Sequence, residues 1–231
     1  MRETLEHGLP ELGMRTDLIP RLAGFAEMVL ERNQVMNLTA ITEPRDVAAL
    51  HLLDSLEALK LAGLERESVI DVGCGAGFPG VPLAIAGAEL KVTLLDSLGK
   101  RIDFLREACG QLGLDHVECV HARAEEFAGE RRETFDVAIS RAVASLPVLC
   151  ELCLPLVRVG GVMLAMKSTG ISEELKSAQR AIRLLGGETA EVQTYTIPTT
   201  DVSHTLVTIR KVSPTPAKYP RRFAQIKKQP L

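Results

Sequence analysis

The sequence predicts an α/β fold: a seven-stranded, mostly parallel sheet with an antiparallel last strand, helices on both faces and an N-terminal helical extension. Three observations lead there. From residue 68 onward, short β-branched runs alternate with spans of helical length, the pattern of βαβ units. Aromatic residues make up only 3% of the chain and Trp is absent, so the core falls to Leu, Val, Ile and Ala, a usage suited to helices packed on a parallel sheet. The first β-branched run ends in Gly73, Gly75 and Gly77, as a chain does where a strand turns tightly beside a ligand-binding crevice.

The elements follow in order. Leu18, Leu22, Phe25, Val29 and Leu30 fall at helical spacing within residues 16–33. A loop through Asn37-Leu38-Thr39-Ala40-Ile41-Thr42 precedes a second helix, opened by Pro44 and running to about Leu61. Strands are expected at 68–72, 91–95, 117–121, 135–140, 161–166, 191–197 and 205–210. Helices are expected at 98–112, 145–157 and 172–185, and a short one after the glycines. The last two strands leave no room for a helix between them and form an antiparallel pair. The chain thus divides into a helical extension (1–62) packing on the core, an α/β domain (63–213) and a basic, Pro-containing tail (214–231).

Composition excludes several classes. No apolar run approaches the ~20 residues that cross a bilayer, and the N-terminus carries Arg2, Glu3, Glu6 and His7 in place of a secretory apolar segment. The five cysteines are odd in number and fit no disulfide framework. Cys150 and Cys153 form a CxxC without a second ligand pair, inside an apolar helical run, and read as core packing with no metal. A cytoplasmic monomer is expected. The net charge of −3 gives no general attraction to nucleic acid, but Lys218, Arg221, Arg222, Lys227 and Lys228 cluster without an intervening acid. That segment is either a solvated tail or an arm that follows a phosphate backbone.

The segment Asp71 to Gly80, DVGCGAGFPG, carries the strongest chemical signal. Read from Gly75 it is a literal GxGxxG, the dinucleotide fingerprint. Read from Asp71 it is (D/E)xGxGxG, the pattern of S-adenosylmethionine enzymes, and a class I methyltransferase version of the Rossmann-like sheet. Pro79 favours the second reading, because a pyrophosphate seeks free N–H groups at a helix N-terminus and proline removes one. Asp96 ends the second strand, 25 residues after Asp71, where a carboxylate can accept both ribose hydroxyls or cap the next helix. Ala124 and Glu125 follow the third strand, at a place suited to contact with adenine or to plain surface charge. Arg141 follows the apolar strand FDVAIS and faces either the reacting centre or structure alone. Lys100 and Arg101 lie on a solvated helix face or contact RNA.

Together DVGCGAGFPGVPLAI, TLLDSLGKRIDFL and ISRAVASL resemble the glucose-inhibited division protein B (RsmG) family of bacterial 16S ribosomal RNA guanine-N7 methyltransferases. NLTAITEP, HLLDSL, Ala165-Met166-Lys167 and the tail KYPRR extend the likeness from about Asn33 to the C-terminus. The resemblance implies S-adenosylmethionine as cofactor, held at Gly73, Phe78, Asp96, Ser97, Leu98, Ala124, Glu125 and Arg141, with Gly75 and Gly77 in the same loop. It implies one guanine of 16S ribosomal RNA, in the small subunit or its precursor, as substrate. Cys74 stands where many members carry threonine or alanine, a position where the backbone is what matters.

Guanine N7 carries a lone pair and no proton at neutral pH, so the chemistry needs positioning and no general base. Arg141 and Lys167, at strand ends, are expected to hold RNA phosphates or guanine O6, and Lys100, Arg101, Lys218, Arg221 and Arg222 to contact RNA. Arg141→Ala is expected to abolish methylation and leave the fold intact. His51, Asp54 and Ser55 share one helical turn and face the cleft or pack helix on sheet. An oxidoreductase would want a Tyr-Lys pair, and neither Tyr195 nor Tyr219 precedes a Lys at helical spacing. Another RNA, a protein or a small molecule remains open as methyl acceptor.

Overall fold

The computed structural model describes residues 1–141 and 144–231. Ala142 and Val143, within the ISRAVASL motif, lie outside the described residues. The sheet consists of β1 (Ser68–Val72), β2 (Lys91–Asp96), β3 (Val117–His121), β4 (Phe135–Arg141), β5 (Val157–Ser168), β6 (Gly187–Thr196) and β7 (Ser203–Lys211), in the order β3-β2-β1-β4-β5-β7-β6. Only β7 runs against its neighbours, β5 and β6; the pairs β1–β2, β1–β4, β2–β3 and β4–β5 are parallel. Strand order reverses between β1 and β4, and open α/β sheets bind ligands beyond the carboxyl ends at that switch point.

Both sheet faces are covered, so inward strand residues are apolar on both sides. Val69 and Leu94 enter one buried cluster, while Ile70, Val72 and Leu95 enter the other. The first cluster is capped by α1 (Arg2–Glu11), α2 (Ile19–Met36), α5 (Gly80–Ala86) and α6 (Gly99–Gln111), with Phe25, Leu83 and Leu105 buried among them. The second is capped by α7 (Ala124–Glu130), α8 (Leu146–Cys153) and α9 (Ser172–Leu184). Cys150 and Cys153 are fully buried there.

The helix expected from Pro44 to Leu61 forms in three parts: α3 (Pro44–Val47), a π-helical turn (Ala48–Leu53) and α4 (Asp54–Ala62). Such wide turns often accompany functional sites, and this one carries His51 toward the sheet. Helix α1 was not legible in the sequence pattern. It joins the core through Leu5 and Leu9, and Gly8 lets it approach Leu53, whose Cδ2 would stand 2.9 Å from a Cβ there.

The tail departs from a solvated arm. Its last helix, α10 (Phe223–Lys228), buries Ile226, and Tyr219 is buried as well. Arg132 donates to the carbonyls of Tyr219 at 2.8 Å and Thr215 at 2.6 Å. The Lys211 ammonium, fully buried, donates to Leu154 O and Thr215 Oγ1, each at 2.6 Å, and pairs with Glu133 at 3.0 Å.

Candidate active site

The glycine loop leaves β1 with Gly73, Gly75 and Gly77 at φ +74°, +57° and +100°, the left-handed region that L side chains avoid. Gly77 faces inward: a Cβ would stand 2.8 Å from Phe25 Cζ and 2.7 Å from Leu105 Cδ2. Gly80, at the start of α5, donates its N–H to Asp71 Oδ2 at 2.8 Å. With Pro79 lacking an N–H and Gly80's turned inward, this helix end does not offer the donors a pyrophosphate wants. Asp71 is fully buried, and burial pushes its carboxyl up to about 7. Its Oδ1 has no partner among the described residues.

A cleft of about 480 Å³ opens beyond the strand ends, lined by Gly73, Asp96, Ser97, Leu98, Ala124 and Glu125, with Arg141 at its edge. Asp96 is 5% exposed. Its Oδ2 accepts from Gly75 N at 3.0 Å and Arg101 Nη1 at 3.3 Å, and its Oδ1 from Leu98 N at 2.9 Å. A carboxylate has about four acceptor sites, so one remains, and a second is released when Arg101 moves aside. That matches the two hydroxyls of a ribose. The Glu125 side chain is only 10% exposed and offers a carboxylate to an exocyclic amine, while Leu98, 52% exposed, offers an apolar surface. The residues present therefore fit an adenine nucleoside: two carboxylates, apolar walls and a glycine where the loop meets the cleft.

A second cleft of about 530 Å³ is lined by His51, Asp54, Met166, Lys167, Glu174 and His204, and Arg141 borders it too. Arg141 Nη1 donates to Leu50 O at 3.0 Å and Asp54 Oδ2 at 3.3 Å, and Nη2 to His51 Nδ1 at 2.9 Å. Arginine only donates, so His51 Nδ1 must accept and Nε2 carries the proton, donating to Thr39 Oγ1 at 2.8 Å. Burial, reinforced by the Arg141 charge, holds His51 down at about 4, and the ring is neutral. It stacks on Phe78 with centroids 4.6 Å apart, and Arg141 Cζ lies 5.3 Å from that ring. Phe78 thus backs Arg141 from behind and is buried, not exposed in the cleft. Three of Arg141's five N–H groups are committed; among the described residues, Nε–H and one on Nη2 remain.

Asp54, fully buried, joins distant strands: its Oδ1 accepts from Tyr195 Oη and from His204 Nδ1, both at 2.9 Å. Burial and the Asp54 charge push the Tyr195 phenol well up, so it stays a donor. Ser55 donates to His51 O at 2.5 Å and supports the π-helical turn from within. Lys167 Nζ donates to Ala144 O and Glu174 Oε1, each at 2.7 Å, leaving one N–H without a partner among the described residues.

The expected RNA contacts divide. Lys100, Lys218 and Arg222 are exposed. Arg101 is drawn inside the first cleft by Asp96, and Arg221 turns inward. Its Nε and Nη2 fork onto the fully buried Glu151 at 2.8 and 2.6 Å, because that carboxylate would otherwise be a lone charge in the core. Tyr195, His204, Glu174 and Phe223 were not singled out by the sequence. Each joins the clefts only through tertiary contact.

The sheet order, the loop and the ribose-competent Asp96 define the class I methyltransferase fold. Solved structures agree: TYW2 of M. jannaschii in complex with AdoMet superposes with a TM-score of 0.54 at 16% identity, over 69% of this chain and 77% of that one. TrmN from Thermus thermophilus gives 0.52 at 20% identity, over 68% and 48%. Within that class, residues 18–202 match the family described as GidB, rRNA small subunit methyltransferase G, and the chain belongs to it. It is 46% identical over 232 residues to the ribosomal RNA small subunit methyltransferase G of Alkaliphilus metalliredigens (strain QYMF), spanning 98% of this chain and 97% of the relative. The namesake in Thermoanaerobacter sp. (strain X514) is 44% identical over 99% of this chain and 98% of its own.

Proposed function

We propose that the protein is an S-adenosylmethionine-dependent methyltransferase that places a methyl group on N7 of one guanine in 16S ribosomal RNA, within the small subunit or a precursor of it, in the bacterial cytoplasm. Family membership supports the reaction class and the ribosomal RNA. Among the described residues, no helix is long and apolar enough to cross a membrane. The observation that carries the site assignment is Arg141, which alone among the described residues borders both clefts.

In this reading the first cleft holds the donor nucleoside. Asp96 takes its ribose, Glu125 and the apolar wall take its base, and Gly73 keeps the backbone clear of the reacting end. When bound, the cofactor supplies an electrophilic methyl on a sulfonium. The second cleft takes the guanine. The free N–H groups of Arg141 hold O6 or a phosphate oxygen, and the spare N–H of Lys167 holds the RNA backbone. N7 attacks without losing a proton, and His51, neutral and doubly bonded, acts as a fixed support for Arg141 and not as a base. A purine methylated at N7 is positively charged, and the pairing of Arg141 with Asp54 would keep the guanidinium from opposing that charge. The protein's contribution is alignment and exclusion of water.

Mass spectrometry of ribosomal RNA tests this. Small subunits from cells lacking the protein, incubated with it and S-adenosylmethionine, gain one 7-methylguanosine. No gain, or a methyl on another atom, defeats the assignment. Titration with a nicotinamide dinucleotide should give no binding, which separates the oxidoreductase reading.

A further inference from the structure

Phe223 lies at the start of α10, directly after the KYPRR run and far in sequence from the glycine loop, Asp96 and Glu125, yet its side chain lines the first cleft beside Ala124, Glu125 and Leu98. The family match ends at residue 202, so nothing in it assigns a role to this segment. Arg123 Cζ stands 5.9 Å from the Phe223 ring centroid, and the ring also rests against the second core cluster. The segment that delivers it is fastened on both sides. Arg221, two residues earlier, forks onto buried Glu151 and also donates its backbone N–H to that carboxylate at 2.9 Å. Tyr219 and Ile226 are buried before and after it.

We propose that residues 219–226 form a strap that completes the donor pocket, with Phe223 as the wall against which the nucleoside base packs and the Arg221–Glu151 fork as the clasp that sets its position. This rests on the nucleoside reading of the first cleft. Two features favour the base end over the methyl end. Phe223 shares its side of the cleft with residues 123–125, whereas Gly73 directly follows β1 and Arg141 ends β4. An aromatic face is also the surface a purine stacks on regardless of its hydrogen bonding. Exposed Arg222 in the strap, and Lys218, Lys227 and Lys228 on either side of it, then face outward, so a strap that touches RNA outside also touches the nucleoside inside.

Isothermal titration of the full chain with S-adenosylhomocysteine and with 5′-methylthioadenosine, which lacks the amino-acid end, tests it. Phe223→Ala is expected to weaken both ligands by the same factor, roughly ten-fold or more, while Phe223→Tyr restores wild-type binding. The thermal midpoint of each unliganded variant is measured alongside. Should Phe223→Ala unfold, Phe223→Leu keeps the packing, removes the aromatic face and still loses affinity. Wild-type affinity in Phe223→Ala, or a loss confined to S-adenosylhomocysteine, overturns the strap proposal and leaves the nucleoside reading standing. Absence of binding to the wild-type chain overturns both.

Discussion

Arg141 sits at the end of β4 with two duties that its hydrogen bonds make inseparable. It presents free donors to the second cleft, and it neutralises Asp54, which is fully buried and tied to Tyr195 and His204. The expectation that Arg141→Ala leaves the fold intact therefore needs amendment: Asp54 keeps its bonds to Tyr195 and His204 but loses the guanidinium, at about 2 kcal/mol. Arg141→Ala should lose activity and lower the urea midpoint together. Arg141→Lys keeps the charge without the planar fork; it should fold near wild type and bind S-adenosylhomocysteine, while kcat falls roughly 100-fold or more. A lysine variant of near-native kcat, measured on small subunits, would remove Arg141 from the reaction. At this scale the legible residues were those at or just past strand ends after a recognisable run: Asp96, Arg141 and Lys167 near the ends of β2, β4 and β5, and Glu125 in the first turn of α7. Tyr195 and His204 were not, because they meet Asp54 across 141 and 150 residues of sequence, and nothing local marks them.

The glycine loop shows why one motif carries different constraints at adjacent positions. Gly75 is at φ +57° with no heavy atom closer than 3.9 Å to a Cβ built there, so Gly75→Ala meets only the backbone penalty of about 1–2 kcal/mol. Gly77 at φ +100° adds contact with Phe25, Leu105 and Val81 below 3 Å, so Gly77→Ala should cost about 3 kcal/mol or more. Urea unfolding should rank the two in that order; equal midpoints would mean the loop is not held against α2 and α6 as described. Element boundaries were legible where pattern and turn chemistry agreed: β1 and β3 form over the expected residues, and the last strand reverses as the missing helix requires. Strand β5 begins four residues before its expected start. The expected strand starts at Gly161, but Gly160, at φ +87°, and Gly161 lie within β5 and accommodate a register irregularity opposite Phe135 and Val137. Helix α1 and the strap were hidden for another reason: each contributes only two or three apolar anchors, too few to make a period.

Across the whole molecule, two buried groups on the site's floor titrate in opposite senses. His51 is held at about 4 against 6.5 in the unfolded chain, so from pH 6.5 down to 4 the unfolded state gains a proton the native state refuses, and stability falls. Asp71 is raised to about 7 from 3.8, so over pH 3.8 to 7 the native state keeps a proton the unfolded state releases, and stability rises as pH falls. Each slope approaches about 1.4 kcal/mol per pH unit, and the two windows overlap between about pH 4 and 6.5, where they offset. Single substitutions should expose the hidden members. Relative to wild type, Asp71→Asn, which can still accept the Gly80 N–H, should gain stability as pH rises from 4 to 7. His51→Gln should lose stability relative to wild type as pH rises from 4 to 6.5. Urea midpoints at half-unit intervals, read as differences between variant and wild type, isolate these groups from the exposed carboxylates that titrate in all three proteins. Parallel curves for Asp71→Asn and wild type would mean that Asp71 is ionised behind the glycine loop, placing a negative charge beneath the donor cleft where the burial of this carboxyl argues for a neutral one.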